Sequence, residues 1–391
     1  MKIADNVCYV GVNDRRTSLF EGLWTLPYGV SYNSYLVTGE QTSLIDTVEE
    51  GFTSLFLKNI ADALEGRKLN YLVVNHMEPD HSSSIEAVRR AYPEVTVVGN
   101  AKTVQMLQGF YGITDRTLQV ADGQTLSLGS TELAFHLTPM VHWPETMMTL
   151  MPAEKILFSG DAFGCFGALQ GNPTDVDIDA DLYFDQMYRY YAAIVGKYGV
   201  PVQNAMKKLA DKSVATICPT HGPVWQRHAG EVLEIYSRLS RYEGERGTVI
   251  VYGTMYGNNA HAADYIARGL ASRGEKNIRV YDLSTTDLAT ILADIFRYDT
   301  LVVGCPTYNG EIFPPADNLM RALAARMVTG KRFGAFGSFC WAGAAVKKLR
   351  EAAESMKFDI VEPSAEFKQG FDQNPTEQFD LLVEALSVRE K

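Results

Sequence analysis

Apolar residues recur along this chain in two rhythms. In the first part the apolar runs are mostly short and strand-like: "LNYLVV", "VTVVG", "TLQV", "TLSLG", "ELAFHLTP", "MMTLMP" and "KILFSG". "NSYLVTGEQTSLID" predicts a hairpin, its halves separated by the turn-like "TGEQ". "FTSLFLKNIADAL" instead places apolar residues at Phe52, Leu55, Phe56, Ile60, Ala63 and Leu64, which is helical spacing. Many strands, with helices between groups of them, predict an α/β or α+β sandwich. Beyond "RYEGERG", residues 241–247, strand-like and amphipathic helix-like runs alternate: "TVIVYG", "IRVYDL", "TLVVGCP", "RFGAFGS" and a short fifth run near "FDIVE", with helices between them and a last one at "TEQFDLLVEALSVRE". That alternation predicts a doubly wound, five-stranded parallel sheet. The change of rhythm divides the chain into residues 1–245 and 246–391.

Composition narrows the function. At 391 residues and 46% hydrophobic, the chain is too long for one ordinary core. A net charge of −11 argues against a broad phosphate-binding surface, so nucleic acid is not an expected partner. No window approaches about 18 consecutive apolar residues, and the start, "MKIADNVCYVGVNDRR", lacks a basic tip followed by an apolar stretch. The expectation is a soluble, cytoplasmic protein with no membrane contact. Its five cysteines are far apart, without any C-x-x-C, which predicts reduced thiols and neither a disulfide framework nor a thiolate metal centre.

The chemistry concentrates in "NHMEPDHSSS", residues 75–84, where His76, Glu78, Asp80 and His81 directly follow an apolar run. His142, Asp161 and His221 likewise follow short apolar runs, "FHLTPMV", "KILFSG" and "ATICPT". A strand end holds a side chain rigidly and leaves it open to a cleft, as a metal site with vacant positions requires. Four imidazoles and three carboxylates exceed the four ligands that usually satisfy zinc and suit two metals sharing a carboxylate. A histidine after a strand ordinarily just makes hydrogen bonds, and His136, His228 and His261 are read that way.

"HMEPDH", with His142, Asp161 and His221, resembles the metallo-β-lactamase fold, an αββα sandwich whose hydrolases usually carry H-x-H-x-D-H; here Glu78 replaces the middle histidine. That replacement, followed by a flavodoxin-like domain, resembles the flavodiiron proteins over essentially the whole chain. The pattern is the A-type form of this rubredoxin:oxygen and nitric oxide reductase family, without an appended rubredoxin. The resemblance implies a bridged centre of two Fe, with His76, Glu78 and His142 on one iron, Asp80, His81 and His221 on the other, and Asp161 between them.

After the first strand of the second part, "YGTMYGNNAH" supplies Thr254, Met255, Tyr256, Gly257, Asn258 and Asn259 at a helix start. Hydroxyls, amides and backbone N–H groups there can hold a phosphate without Lys or Arg; neither the Walker lysine nor G-x-G-x-x-G is present. "CPTYNGEIFPP" contributes Pro306, Thr307, Tyr308, Asn309 and Gly310, and "GSFCWAGAA" contributes Ser338, Phe339, Trp341 and Gly343. Aromatic rings and N–H donors in these loops suit a flat isoalloxazine. The three loops resemble those of flavodoxin, which implies FMN.

Zinc has no accessible redox change, so a flavin in the same chain argues for iron. The resemblance implies reduction of dioxygen to water, nitric oxide to nitrous oxide, or both. The expected donor is a rubredoxin-like protein or a reduced deazaflavin coenzyme, and the expected assembly is a head-to-tail homodimer or a dimer of dimers. Trp143 and the run from Tyr183 to Tyr191, with Met187 and Tyr190, are candidates to line the pocket or give a proton, an ordinary core stripe being the plainer reading. The rival class is a dizinc hydrolase with an accessory flavodoxin-like domain, against which Glu78 stands.

Overall fold

The computed structural model describes residues 1–388. The chain separates into two compact units, one spanning Met1–Ser237 and the other running from Arg238 onward. The division falls within the helix Ala229–Ser240, ahead of the charged segment 241–247.

The first unit is built from two sheets. One has seven strands in the order Lys2–Ala4, Val7–Tyr9, Tyr35–Thr38, Thr42–Ile45, Tyr71–Val73, Thr96–Gly99 and Thr117–Gln119. The other has five: Thr125–Ser127, Glu132–Leu137, Met147–Met151, Ile156–Gly160 and Thr216–Pro219. Their inner faces meet in one core, where Val7, Val37, Ile45, Val73 and Val98 of the first sheet pack with Leu133, Phe135, Met147, Ile156, Phe158 and Cys218 of the second. The expected hairpin is present, with Thr38 opposite Thr42, and the expected helix spans Thr53–Leu64 with Phe56, Ile60 and Leu64 buried. Each fully buried Val, Leu, Ile or Phe side chain contributes about 1.5–3 kcal/mol, whereas an exposed ion pair such as Lys58–Asp62 contributes about 0–1 kcal/mol. The sandwich core therefore decides where the strand ends lie.

Two pieces escape the apolar pattern. Strands Val12–Asp14 and Val30–Tyr32 pair with each other, and between them Leu19–Phe20 and Trp24–Thr25 form a small hairpin. These elements are two or three residues long, too short for period-two alternation to mark them.

The second unit is a parallel sheet ordered Ile278–Asp282, Glu245–Tyr252, Tyr298–Tyr308, Arg332–Phe339 and Asp359–Ile360, so that the second strand in sequence lies outside the first. This is the 2-1-3-4-5 order of a doubly wound sheet. Its fifth strand is broken: Asp359–Ile360 and Ala365–Lys368 each pair with Arg332–Phe339, on either side of a cis Glu362–Pro363 bond. Helices Asn258–Ser272 and Glu377–Ser387 bury Ile266, Leu270, Phe379 and Leu382 against Ile250, Val302 and Phe336 of the sheet. The end of the predicted last helix, at 389 and 390, lies outside the described residues.

Among the described residues, this unit buries one cationic side chain. Lys331 is 1% exposed, and its Nζ donates to the carbonyl oxygens of Tyr298 at 2.8 Å and Phe296 at 3.4 Å. Burial pushes its ammonium down to about 7. An unfolded lysine titrates near 10.4, so between pH 7 and about 10 the unfolded chain holds a proton that the folded chain lacks. Stability rises with pH across that window, by up to about 1.4 kcal/mol per pH unit. Lys331→Met is expected to flatten this rise and to raise the unfolding midpoint at pH 7, as measured by denaturant titration of both proteins at pH 7 and pH 9.5.

Candidate metal centre

All seven ligand-type residues converge at one end of the sandwich. His76 and Glu78 lie in the segment after Tyr71–Val73, and Asp80 and His81 lie on the short helix Pro79–Ser82 that follows it. His142 lies between Glu132–Leu137 and Met147–Met151, Asp161 directly after Ile156–Gly160, and His221 just beyond Thr216–Pro219. Each backbone segment is anchored. Asp46 accepts from the N–H of Asn75 at 2.7 Å and from Asn75 Nδ2 at 3.0 Å, holding the start of the first segment. Asn33 Nδ2 donates to the carbonyls of Pro219 and Gly222, and Tyr35 donates to Pro219, holding the turn around His221. Gly222 makes that turn at φ 76°, where a Cβ would lie 2.2 Å from Cys165 Sγ.

The ligand-type atoms sort into two groups, His76, Glu78, His142 and Asp161, and Asp80, His81 and His221. In the first, His142 Nε2 lies 3.1 Å from both Glu78 Oε2 and Asp161 Oδ2, and His76 Nε2 lies 3.3 Å from the same two oxygens. In the second, His81 Nε2 lies 3.0 Å from Asp161 Oδ1 and 3.3 Å from Asp80 Oδ2, while His221 Nε2 lies 3.2 Å from Asp80 Oδ2 and 3.8 Å from Asp161 Oδ1. Asp161 thus turns one oxygen to each group. Separations of about 3 Å are the edges of a coordination polyhedron with bonds of about 2.1 Å.

Two further observations fit a cation at each position. Both oxygens of Asp80, both ring nitrogens of His81 and Nε2 of His221 are buried without a hydrogen bond, although some lie within ion-pair distance. Leaving such groups unsatisfied is costly, and a metal bond satisfies them. The charges also call for one. Burial lowers the His76, His81 and His142 imidazoles, but neighbouring Asp161, Asp80 and Glu78 outweigh it, holding His81 and His142 up to about 9 and His76 well above its ordinary value. Burial likewise pushes Asp161 and Glu78 up, and the surrounding imidazoles hold both below the carboxylate range.

The surroundings contain residues that the apolar pattern did not reveal. Glu145 Oε1 lies 2.7 Å from His76 Nδ1. His221 Nδ1 donates to the Ser31 carbonyl at 2.7 Å. The Phe20 ring meets His221 edge-on at 5.4 Å. On the same hairpin, Glu21 accepts from Trp24 Nε1 at 3.2 Å. Glu21 as a whole is exposed, yet desolvation of its carboxyl end and the Glu78 charge push it up to about 7. Arg189 fastens this hairpin by donating to the carbonyl and hydroxyl of Thr25. Only the sequence H-W-P-E, which puts a carboxylate three residues after a ligand-type histidine, offered a signal for Glu145. Trp143 stands edge-on to His76 at 5.3 Å, and Tyr190 contacts His221 at 5.4 Å with its hydroxyl buried and lacking a hydrogen bond. Tyr183 donates to the Ala168 carbonyl instead. His136, His228 and His261 belong to neither group.

The three flavin-loop segments follow adjacent parallel strands of the second unit. Gly257 takes φ 90° as the residue before helix Asn258–Ser272, whose first N–H groups have no intrahelical partner. Gly257 donates to Thr254 Oγ1, Asn259 Nδ2 donates to Ser338 Oγ, and Asn259 Oδ1 is buried without a partner. Asn258 Oδ1 is already engaged by the Phe371 N–H, and Thr307 Oγ1 accepts from Ala344 and Ala345, so these two brace the loops. Tyr256 and Trp341 are 91% and 88% exposed, an arrangement that leaves large apolar rings free to cover a flat ligand.

The protein resembles others along its length. A family model described as ODP family beta lactamase matches residues 30–222, and one described as Flavodoxin matches residues 250–381. The chain is 31% identical over 367 residues to a nitric oxide reductase of Moorella thermoacetica, covering 92% of this chain and 90% of that protein. It is 30% identical over 364 residues to an anaerobic nitric oxide reductase flavorubredoxin of Escherichia coli, covering 92% and 76%. Among solved structures, rubredoxin oxygen:oxidoreductase from Desulfovibrio gigas superposes with a TM-score of 0.91 at 28% identity, covering 99% of this chain and 97% of that one. The flavodiiron protein from Giardia intestinalis gives 0.90 at 26% identity, covering 99% and 94%.

Ligand atoms arranged in this way tie metal binding to folding. Adding Co2+ to metal-free protein is expected to stabilise it by about 2.7 kcal/mol for each position at which the free ion is about 100 times that position's dissociation constant, seen as a rise in unfolding midpoint. Asp161→Ala is expected to abolish most of that rise.

Proposed function

The chain belongs to the flavodiiron protein family, and on that premise we propose that it reduces dioxygen to water, nitric oxide to nitrous oxide, or both, with electrons entering through FMN. The observation that carries this reading is the pair of ligand-atom groups with one Asp161 oxygen turned to each, in a chain that also contains a 2-1-3-4-5 flavodoxin sheet. In this reading His76, Glu78 and His142 would hold one iron and Asp80, His81 and His221 the second, with Asp161 available to both. When bound, the diiron centre and FMN supply the electron-accepting and electron-storing chemistry, two electrons each.

The chain's own residues do the rest. Asp161, nearly fully buried, keeps the two positions together, and the seven ligand-type groups are preset by strand ends so that little rearrangement is required. Phe20 and Trp143 pack against His221 and His76 and exclude water from the rings. Gly257, Asn259 and the first turn of helix Asn258–Ser272 would receive the FMN phosphate, the backbone N–H groups replacing a basic side chain. Tyr256, Tyr308 and Trp341, with the backbone of Met255, Pro306, Asn309, Gly310, Phe339 and Gly343 nearby, would flank the ring.

The external donor is a rubredoxin-like protein or a reduced deazaflavin coenzyme. A head-to-tail homodimer, alone or doubled, would bring one copy's flavin loops to the other's metal centre. Exposed apolar groups on each unit support this: Tyr256 and Trp341 on the flavin loops, and Leu19 and Leu23 on the hairpin beside the metal centre. No helix among the described residues is long and apolar enough to cross a membrane. Five free cysteines suit the reducing cytoplasm that this reading assigns.

Protein prepared without oxygen and with iron supplied is expected to hold two irons and one FMN per chain, by elemental analysis and flavin absorbance. Losing even an outer partner of a metal ligand costs about 10–100-fold, and Asp161 is placed among the ligands themselves, so Asp161→Ala is expected to slow dioxygen and nitric oxide consumption by at least about 100-fold while FMN stays bound. Two zinc ions that iron cannot replace would instead assign a hydrolase.

A further inference from the structure

Glu145 is not one of the seven ligand-type residues, and the reaction outlined above leaves it without a task. Its side chain is fully buried, with Oε1 2.7 Å from His76 Nδ1 and 2.9 Å from the backbone N–H of Met77. Oε2 is buried and takes no hydrogen bond. Among the described residues no lysine or arginine is paired with it, so its charge acts on His76. The position is held from behind, because Asn100 Nδ2 donates to the Glu145 carbonyl while Asn100 Oδ1 caps the helix Ala101–Tyr111.

The opposite group has no equivalent. His221 Nδ1 donates to a neutral backbone carbonyl, that of Ser31, and His81 Nδ1 is buried with no partner. An imidazole that donates to a carboxylate is a more basic and better oriented ligand than one that donates to a carbonyl or to nothing.

We infer that Glu145 is a positioning residue that makes the two metal positions unequal: its carboxylate, behind His76, gives the His76–Glu78–His142 position the tighter hold and leaves the Asp80–His81–His221 position exchangeable. The inference rests on the ligand grouping proposed above. It assigns the exchangeable position as the one that fills last and empties first.

Glu145→Gln separates charge from shape, because the amide oxygen still accepts from Met77 and His76 while the negative charge is lost. Metal-free full-length protein is titrated with Co2+ against a competing chelator. Wild type is expected to bind two ions with distinct constants. In Glu145→Gln the tighter constant is expected to weaken about 10–100-fold and the weaker one to stay. The midpoint for reduction of the iron-loaded protein moves positive, which a purely structural role would not produce. Glu145→Asp, which keeps the charge, recovers part of the affinity. Combined with Glu78→Gln the effect is non-additive, and combined with Asp80→Asn it is additive.

Two equal constants in wild type overturn the inference, even if the glutamine variant does not fold. Unchanged constants and potential in a folded Glu145→Gln also overturn it, as does coupling to Asp80 and not to Glu78. Wild type that binds fewer than two ions would defeat the ligand grouping itself, whereas two ions and an indifferent glutamine variant defeat only the role of Glu145.

Discussion

One buried carboxylate, Asp161, is the constraint on which the rest of the first unit depends. Its two oxygens face two separate groups of ligand-type atoms, so any shift of the strand Ile156–Gly160 disturbs both groups at once. That strand is buried along its whole length and paired on both sides, with Met147–Met151 and with Thr216–Pro219. Close packing of this kind makes a position hard to move by even a fraction of an ångström. Seven polar groups of mixed charge could not be gathered in such an interior by their own attraction, since desolvation opposes each of them. The apolar sandwich brings them together, and a pair of cations there would make the gathering stable.

The second unit solves a different problem with the same means. Parallel strands deliver three loops to the carboxyl ends of adjacent strands, and the groups those loops offer are mainly backbone and aromatic. The loop before Asn258 needs Gly257 because its φ of 90° is a conformation that other residues rarely adopt. Thr307 and Asn258, two of the flavin-loop residues, also use their side-chain oxygens to hold neighbouring loop backbone in place. Preorganised loops lower the ordering cost of binding a cofactor.

Much of this was legible in the chain itself. The seven ligand-type residues stand out because each follows a short apolar run, and both signals are local. The five parallel strands are legible for the same reason, the fifth through the short run near "FDIVE"; only its second piece, Ala365–Lys368 beyond Glu362–Pro363, went unmarked. What escaped is short or relational. The hairpin carrying Phe20 and Glu21 has two-residue strands, too brief for any periodicity. The Ser31 carbonyl is backbone, and no side-chain pattern announces it. Glu145 becomes meaningful only when the fold brings residue 145 against residue 76.

The order in which the ligands occur along the chain has a consequence for biosynthesis. His76, Glu78, His142 and Asp161 have all been synthesised once residue 161 is made, whereas the second group waits for His221, whose turn is in turn held by Asn33 and Tyr35 from far upstream. Contacts of such sequence separation form late, after the loop-closure cost has been met. A ribosome-bound chain therefore carries every ligand-type residue of the first group before it carries His221, the last of the second.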